Sequence, residues 1–232
     1  MLEQFDRALV GLVGGDGGTS PTNAGHLDPC RVGPRVRDVT EPRLAPDYPI
    51  LTERLLLRPI DAAADLLAMH AYRSIPEVCR YVPFVPGTPE QLADRLADPE
   101  RIRSLIDGEG QVMSLVMVRR ETGELIGDLV LFWHSDTDLH AEVGYVLHPD
   151  HEGHGYATEG TRALLTLCFE GAGAHRVTAR VDERNTTSAR LLERLGFRKE
   201  ARFVEGEWFK GEWTTLEVFA MLEGEWAQNS RV

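Results

Sequence analysis

Cysteine is scarce in this chain, and what there is shows no pairing pattern. Cys30, Cys79 and Cys168 are an odd number at unrelated spacings, which excludes a disulfide framework and fits reduced thiols. Cys168, set among apolar residues at helical spacing, reads as core filling. Long hydrophobic runs are also missing: none approaches the roughly 20 residues that a spanning helix needs, so no membrane partner is expected. A basic leader is lacking too, because Glu3 and Asp6 stand where a secretory segment would be positive and "ALVGLVGG" is short and glycine-broken. The expected location is cytoplasmic. Positive charge is in deficit, 25 Lys and Arg against 37 Asp and Glu, for a formal −12. That balance disfavours nucleic acid, whose binding rests on neutralised phosphates. A cationic partner suits it better, although acidic surfaces also serve plain solubility.

What is present is enough chain for one domain with a sizeable core, or one domain and a tail, in 232 residues. Six of the 13 prolines have passed by Pro49, and "GGDGGTSPTNAG" has neither helical nor strand period. Residues 1–48 are therefore expected to be a disordered Gly/Pro-rich tail, 49–226 the folded domain, and 227–232 a short C-terminal tail. "ILTERLLLRPI" alternates as a strand stopped by Pro59, and Asp61 is placed to cap a helix through "AAADLLAMHAY". "PEQLADRLADPERIRSLID" predicts one or two helices with Pro89 at the first helical position. "QVMSLVMVRR" and "ELIGDLVLFWH" around "ETGE" predict an antiparallel hairpin. "LHAEVGYVLH", the helix "ATEGTRALLTLCFEGA" and the strand "HRVTARVD" predict one right-handed parallel crossover. A helix over "TTSARLLERLGF", stopped by Gly196, precedes strands Arg198–Phe209 and Glu212–Leu222, which turn at Lys210-Gly211. The expected fold class is α/β (α+β): a mixed, mostly antiparallel twisted sheet with flanking helices.

The most informative stretch is "PDHEGHGYATEG", residues 149–160, between a strand and a helix. A nucleotide-triphosphatase loop would end in Gly-Lys-Ser/Thr, whereas this one continues Gly-Tyr-Ala. A dinucleotide fingerprint would want Gly or Ala at Thr158 and several successive parallel units. The zinc-protease helix motif needs histidines four apart, while His151 and His154 are three apart among glycines, so no metal is expected. Two readings stay open on the residues alone. Gly153 and Gly155 either serve a tight turn or let the main chain approach a diphosphate at a helix N-terminus.

"EGHGYATEG" resembles the acetyl-CoA pyrophosphate motif Q/R-x-x-G-x-G/A of the GNAT superfamily of N-acetyltransferases, through Glu152, Gly155 and Ala157. "EVGYVLHP" before it and "RVTARVDERNTTSARLLERLGF" after it follow the same order. The resemblance is nearest to the branch that includes ribosomal-protein N-terminal (alanine/serine) acetyltransferases, in which Asn-x-x-Ser precedes a short helix ending Leu-Gly-Phe. Here these are Asn185, Ser188 and Leu195-Gly196-Phe197. It spans about residues 50 to 226. The departure is Glu152, where the family usually has Gln or Arg; an acid there weakens diphosphate binding unless its side chain turns away.

The resemblance implies acetyl-CoA as co-substrate, no metal, and direct transfer to a primary amine, borne by a small molecule or a protein N-terminus. It implies cofactor contacts from Val146, Leu147, Glu152, Gly153, His154, Gly155, Tyr156, Ala157 and Asn185. Glu142 is then the candidate base, with solvent as its alternative, and Ser188 the proton donor to the leaving thiolate, with Thr186 or Thr187 left to cap the helix. Glu205, Glu207 and Glu212, interleaved with Trp208 and Trp213, form an acidic aromatic hairpin. It either borders the acceptor cleft or anchors tryptophans in the core. A monomer or a homodimer is expected. The alternative reading is a non-catalytic acyl-CoA-binding or interaction module with the same fold.

Overall fold

The computed structural model describes residues 41–229. The expected tail over 1–40, with Cys30, and residues 230–232 lie outside the described residues. Strands β1 (Ile50–Leu51) and β2 (Leu55–Pro59) lead into helices α1 (Leu66–Arg73), α2 (Pro76–Cys79) and α3 (Pro89–Leu96). Next come β3 (Val112–Arg119), β4 (Leu125–Ser135) and β5 (His140–Leu147). Helix α4 (Tyr156–Thr166) crosses to β6 (Arg176–Asp182), followed by α5 (Thr186–Leu195), β7 (Arg198–Phe209), β8 (Glu212–Leu222) and α6 (Glu223–Asn229). All eight strands join one sheet in the order β1-β2-β3-β4-β5-β6-β8-β7. Every pair is antiparallel except β5–β6, which α4 connects.

The period-2 alternation of the strands buries both faces. On β3, Met113, Leu115 and Met117 join Leu129, Leu131, Trp133, Val177 and Phe219 under α4 and α5. The intervening Val116 and Val118 pack on the opposite face against Met69 and Tyr72 of α1 and Leu92 and Leu96 of α3. Helix α4 lies so close to the sheet that a Cβ at Gly160 would come within 2.6 Å of Met117 Sδ.

Three boundaries differ from the sequence expectation. Residues 41–48, assigned to the tail, are described with packed contacts: Leu44 exchanges main-chain hydrogen bonds with Ile106, and the Tyr48 hydroxyl donates to Ser104 O at 2.6 Å. Proline content marked irregular chain, and irregular chain with apolar anchors still packs. Helix α1 begins at Leu66 rather than after Asp61, whose carboxylate instead accepts from Ala63 and Ala64 N–H in a preceding turn. Residues 227–229, assigned to the C-terminal tail, complete α6, whose Trp226 stacks on Phe169 at 5.6 Å. Over 89–107 only one α-helix forms, with a Thr88–Gln91 capping box, before a 3-10 turn at Pro99–Arg101.

Candidate functional site: a split between two parallel strands

Strands β5 and β6 pair at only three positions, His140–Arg176, Ala141–Val177 and Glu142–Thr178. Beyond Glu142, β5 stays paired with β4 to Leu147, while β6 stays paired with β8 to Asp182. The sheet therefore parts from Val143 onward, and Glu142 stands at the apex of the split. Alternation divides the residues of β5 between two faces. Val146 packs with the α1 and α3 cluster, whereas Tyr145 and Leu147 pack with the α4 and α5 core. Glu142 shares the face of Val146.

On the α5 face, the Tyr145 hydroxyl donates to Ser188 Oγ at 3.0 Å. Burial, opposed by the Ser188 hydrogen bond and the Arg194 charge, pushes the Tyr145 phenol up to about 12, with exposed Glu152 adding to the rise. Ser188 is free for this contact because Asn185 caps α5, its side chain accepting from Ser188 N–H at 3.2 Å. The cap is thus neither Thr186 nor Thr187. Tyr145 was not singled out in the sequence, since a tyrosine in "EVGYVL" looks like any strand aromatic.

The open end of the split meets the glycine-rich loop. A 3-10 turn at Pro149–His151 is followed by Gly153 at φ 77° and Gly155 at φ 81°. Both are left-handed, a conformation that favours glycine. Gly155 is the N-cap of α4 and supplies no side-chain cap, so the first amides of the helix, from Tyr156 and Ala157, lack intrahelical acceptors. A Cβ at Gly153 would meet nothing within 4 Å. Glu152 and His154 are exposed, with His154 Nδ1 2.8 Å from Glu152 O. His148 and His151 do not converge with His154: His151 Nε2 lies 3.2 Å from Glu124 Oε1, and His148 Nδ1 accepts from Asp150 N–H. No cluster that could hold a metal occurs among the described residues.

Arg54 ties this loop to the sheet. It donates from Nε to Glu159 Oε2 at 2.7 Å and from Nη1 to His154 O at 2.8 Å, with its guanidinium 4.8 Å from the Tyr156 ring centroid. Burial raises the Glu159 carboxyl, but hydrogen bonds donated by Thr52 Oγ1, the Arg54 main-chain N–H and Arg54 Nε, with the Arg54 charge, hold it below its usual range. In the sequence Arg54 was only the polar partner in an alternating strand; its target lies about a hundred residues away.

On the α1 face, Glu142 Oε2 lies 3.2 Å from His134 Nε2, and His140 Nε2 lies 2.9 Å from Thr178 Oγ1. Next to Val146, buried Asp128 accepts from the Tyr72 hydroxyl at 2.5 Å and from Arg73 Nη2 at 2.6 Å, fastening α1 over the split. The segment after α2 is held by the β7–β8 turn, where Lys210 Nζ donates to Phe84 O at 2.6 Å and to Cys79 O. Lys210 is lowered by the desolvation this docking imposes. Trp208 and Trp213 do not anchor the core: they are 60% and 58% exposed, their rings edge-to-face at 5.3 Å. Glu212 pairs with Arg184 at 2.8 Å, and Glu207 lies 3.8 Å from Arg180.

The profile described as "Acetyltransferase (GNAT) domain" matches residues 54–198. The uncharacterized N-acetyltransferase p20 of Bacillus licheniformis is 33% identical over 179 residues, which are 77% of this chain and 98% of that one. A GNAT-family acetyltransferase from Bacillus anthracis superposes with a TM-score of 0.66 at 27% identity, over 76% of this chain and 99% of that chain. The spermidine N-acetyltransferase of Vibrio cholerae, solved with CoA and spermine, shares the fold with a TM-score of 0.65 at 20% identity, over 76% of this chain and 99% of that chain. By class, then, the protein is an N-acetyltransferase. It belongs to the GNAT acetyltransferase family.

Proposed function

We propose that the protein moves an acetyl group from acetyl-CoA directly to a primary amine, with the thioester lodged at the apex of the β5–β6 split. The observation that carries this reading is the arrangement around that apex: a carboxylate on one face, a bonded pair of hydroxyls on the other, and a glycine-opened helix N-terminus at the far end. The diphosphate of acetyl-CoA would accept hydrogen bonds from main-chain amides around Gly153, His154, Gly155, Tyr156 and Ala157, assisted by the dipole of α4. Exposed Glu152 lowers affinity there without blocking the amides. Val146 and Leu147 would offer main-chain groups to the pantetheine arm, and a β5 amide in the split would polarise the thioester carbonyl. Asn185 supports the same wall as the cap that presents Ser188.

The chemistry needs a neutral amine, since alkyl amines titrate near 10.4 and α-amines near 8. Glu142 takes the proton from the amine, directly or through water, as nitrogen attacks the acetyl carbon. The new C–N bond forms and the C–S bond breaks. Ser188 hands its proton to the departing thiolate and regains one from Tyr145, already donating to Ser188 Oγ, while solvent reprotonates Tyr145 and receives the amine's proton from Glu142. The acceptor, a small-molecule amine or a protein N-terminus, would enter from the α1 face, between the segment held by Lys210 and the acidic hairpin. The proposed setting is the cytoplasm, where acetyl-CoA is available.

The test is thiol release from acetyl-CoA by the purified protein across a panel of polyamines, aminoglycosides and peptides beginning in Ala or Ser. Release that depends on an added amine, with the acetylated amine found by mass spectrometry, is expected. No release with any amine, and no heat on titration with CoA, would remove the proposal.

A further inference from the structure

The β4–β5 ladder slips at one place. Trp133 pairs with Ala141 and Ser135 with His140, leaving His134 as one extra residue on β4. A bulge of this kind costs ladder hydrogen bonds and re-aims a side chain, and such bulges concentrate beside active sites. Here the irregularity is braced on both sides. Trp133 exchanges main-chain hydrogen bonds with Gly110 and Gln111, and its Nε1 donates to Asp136 Oδ1 at 2.7 Å. The His134 ring lies nearly parallel to Phe132, at 5° and 6.2 Å between centroids. Braced in this way, the ring brings Nε2 to 3.2 Å from Glu142 Oε2.

We propose that His134 is a positioning residue for the reaction: its Nε2–H donates to Glu142 Oε2 and leaves Oε1 as the oxygen that receives the proton of the acceptor amine. A carboxylate on a strand rotates freely about its last torsion unless one oxygen is bonded. At the apex of the split, where β6 leaves β5, no other side-chain hydrogen bond to Glu142 exists among the described residues. His134 and Glu142 are both largely shielded, with side chains 20% and 17% exposed, so the bond is not merely a surface contact competing with water. The other ionisable groups facing this patch are His140, 5.0 Å from His134 between ring centroids, together with Arg176 and Asp138. His140 is bonded to Thr178 Oγ1 and is lowered by burial first, then by the charges of His134 and Arg176. With His140 Nε2 engaged by Thr178, His134 is the side chain that faces the carboxylate.

The inference rests on Glu142 acting as the base, and the experiment separates the two. His134→Phe keeps the ring stacked on Phe132 and removes the donor; His134→Gln keeps an N–H donor; Glu142→Gln removes the base. With whichever amine of the panel turns over fastest, H134F is expected to lower kcat about tenfold, part of the roughly hundredfold that a 1 Å misplacement can cost, with KM for both substrates within about twofold. H134Q recovers most of the loss, and E142Q loses about a hundredfold, the lower range of general-base effects. If E142Q is slow while H134F turns over like wild type, the role of His134 falls and that of Glu142 stands. If E142Q matches wild type, both fall. A readout without turnover completes the test. In ¹⁵N-labelled protein near pH 9, above the ordinary histidine range, His134 is expected to carry its proton on Nε2. A ring protonated on Nδ1 overturns the proposal whatever the rates.

Discussion

The two faces of the β5–β6 split are built from different materials. The α4–α5 face is largely main chain and short-range: two left-handed glycines, the first amides of a helix, and a cap and hydroxyl three residues apart, to which the sheet adds the Tyr145 hydroxyl and the Arg54 brace. The α1 face is assembled from side chains, mostly distant in the chain, with Arg73 and Tyr72 on Asp128 and Lys210 on the segment ending at Phe84, and with His134 on Glu142 across the β4–β5 hairpin. The difference matches what each face has to recognise under the proposed function. A diphosphate and an amide-bearing arm are the same in every acetyl-CoA, and backbone donors suffice for them. An acceptor amine varies, and a surface made of side chains can vary with it.

Replacing Arg73 by Met should have the largest effect, because it leaves Asp128, 5% exposed, without its charged partner inside the fold. A loss of about 3–5 kcal/mol in denaturant unfolding is expected. A loss below about 1 kcal/mol would mean that α1 is not fastened through this pair. On the opposite face, Gly155→Val forces a β-branched residue to φ 81° at the N-cap of α4. The strain, about 1–2 kcal/mol, should appear as roughly tenfold weaker CoA binding by calorimetry, with the acceptor KM unchanged. Equal losses in both would erase the contrast between the faces.

These two residues also mark what could be read from the chain. Gly155 was legible because positive φ at a helix start is a property of neighbouring residues. The strands, the single parallel crossover and the helix stop at Gly196 were legible for the same reason: periodicity and punctuation are local. Arg73 was not legible. It stands in "MHAYR" as an ordinary helix-end arginine, and its partner is 55 positions away on another strand. Trp208 and Trp213 were open to a core reading, and the fold instead leaves them exposed as a cross-strand pair beside the β7–β8 turn.

Lys210→Met should have a smaller effect, freeing the segment from Cys79 to Phe84 by removing the donor of two hydrogen bonds to its main chain. The acceptor KM should rise about threefold to tenfold, a loss of about 0.5–1.5 kcal/mol, with CoA binding untouched. A change in CoA affinity alone would assign Lys210 to the wrong face. The smallest effect concerns Tyr145. Its folded pKa, about 12, stands above the ordinary phenol value, so the neutral form is favoured by the fold. That contribution is complete below about pH 10 and is lost as pH rises toward the folded value. The stability of wild type over Tyr145→Phe should therefore shrink between roughly pH 10 and 12 in denaturant titrations. A gap that widens with pH would show that the phenol ionises more readily when folded.

By itself the sequence determined the order of elements, the glycine-opened start of α4 and the placement of Glu142 on the strand that enters the glycine loop. Each of these depends on backbone preference and on neighbours within a few residues. The tertiary structure decided where the sheet parts, which hydroxyl pairs with Ser188, what grips the glycine loop, and which side chain turns toward Glu142. Most of those contacts join strands and loops remote in the chain, and all of them exist only once packing has set register, bulge and face.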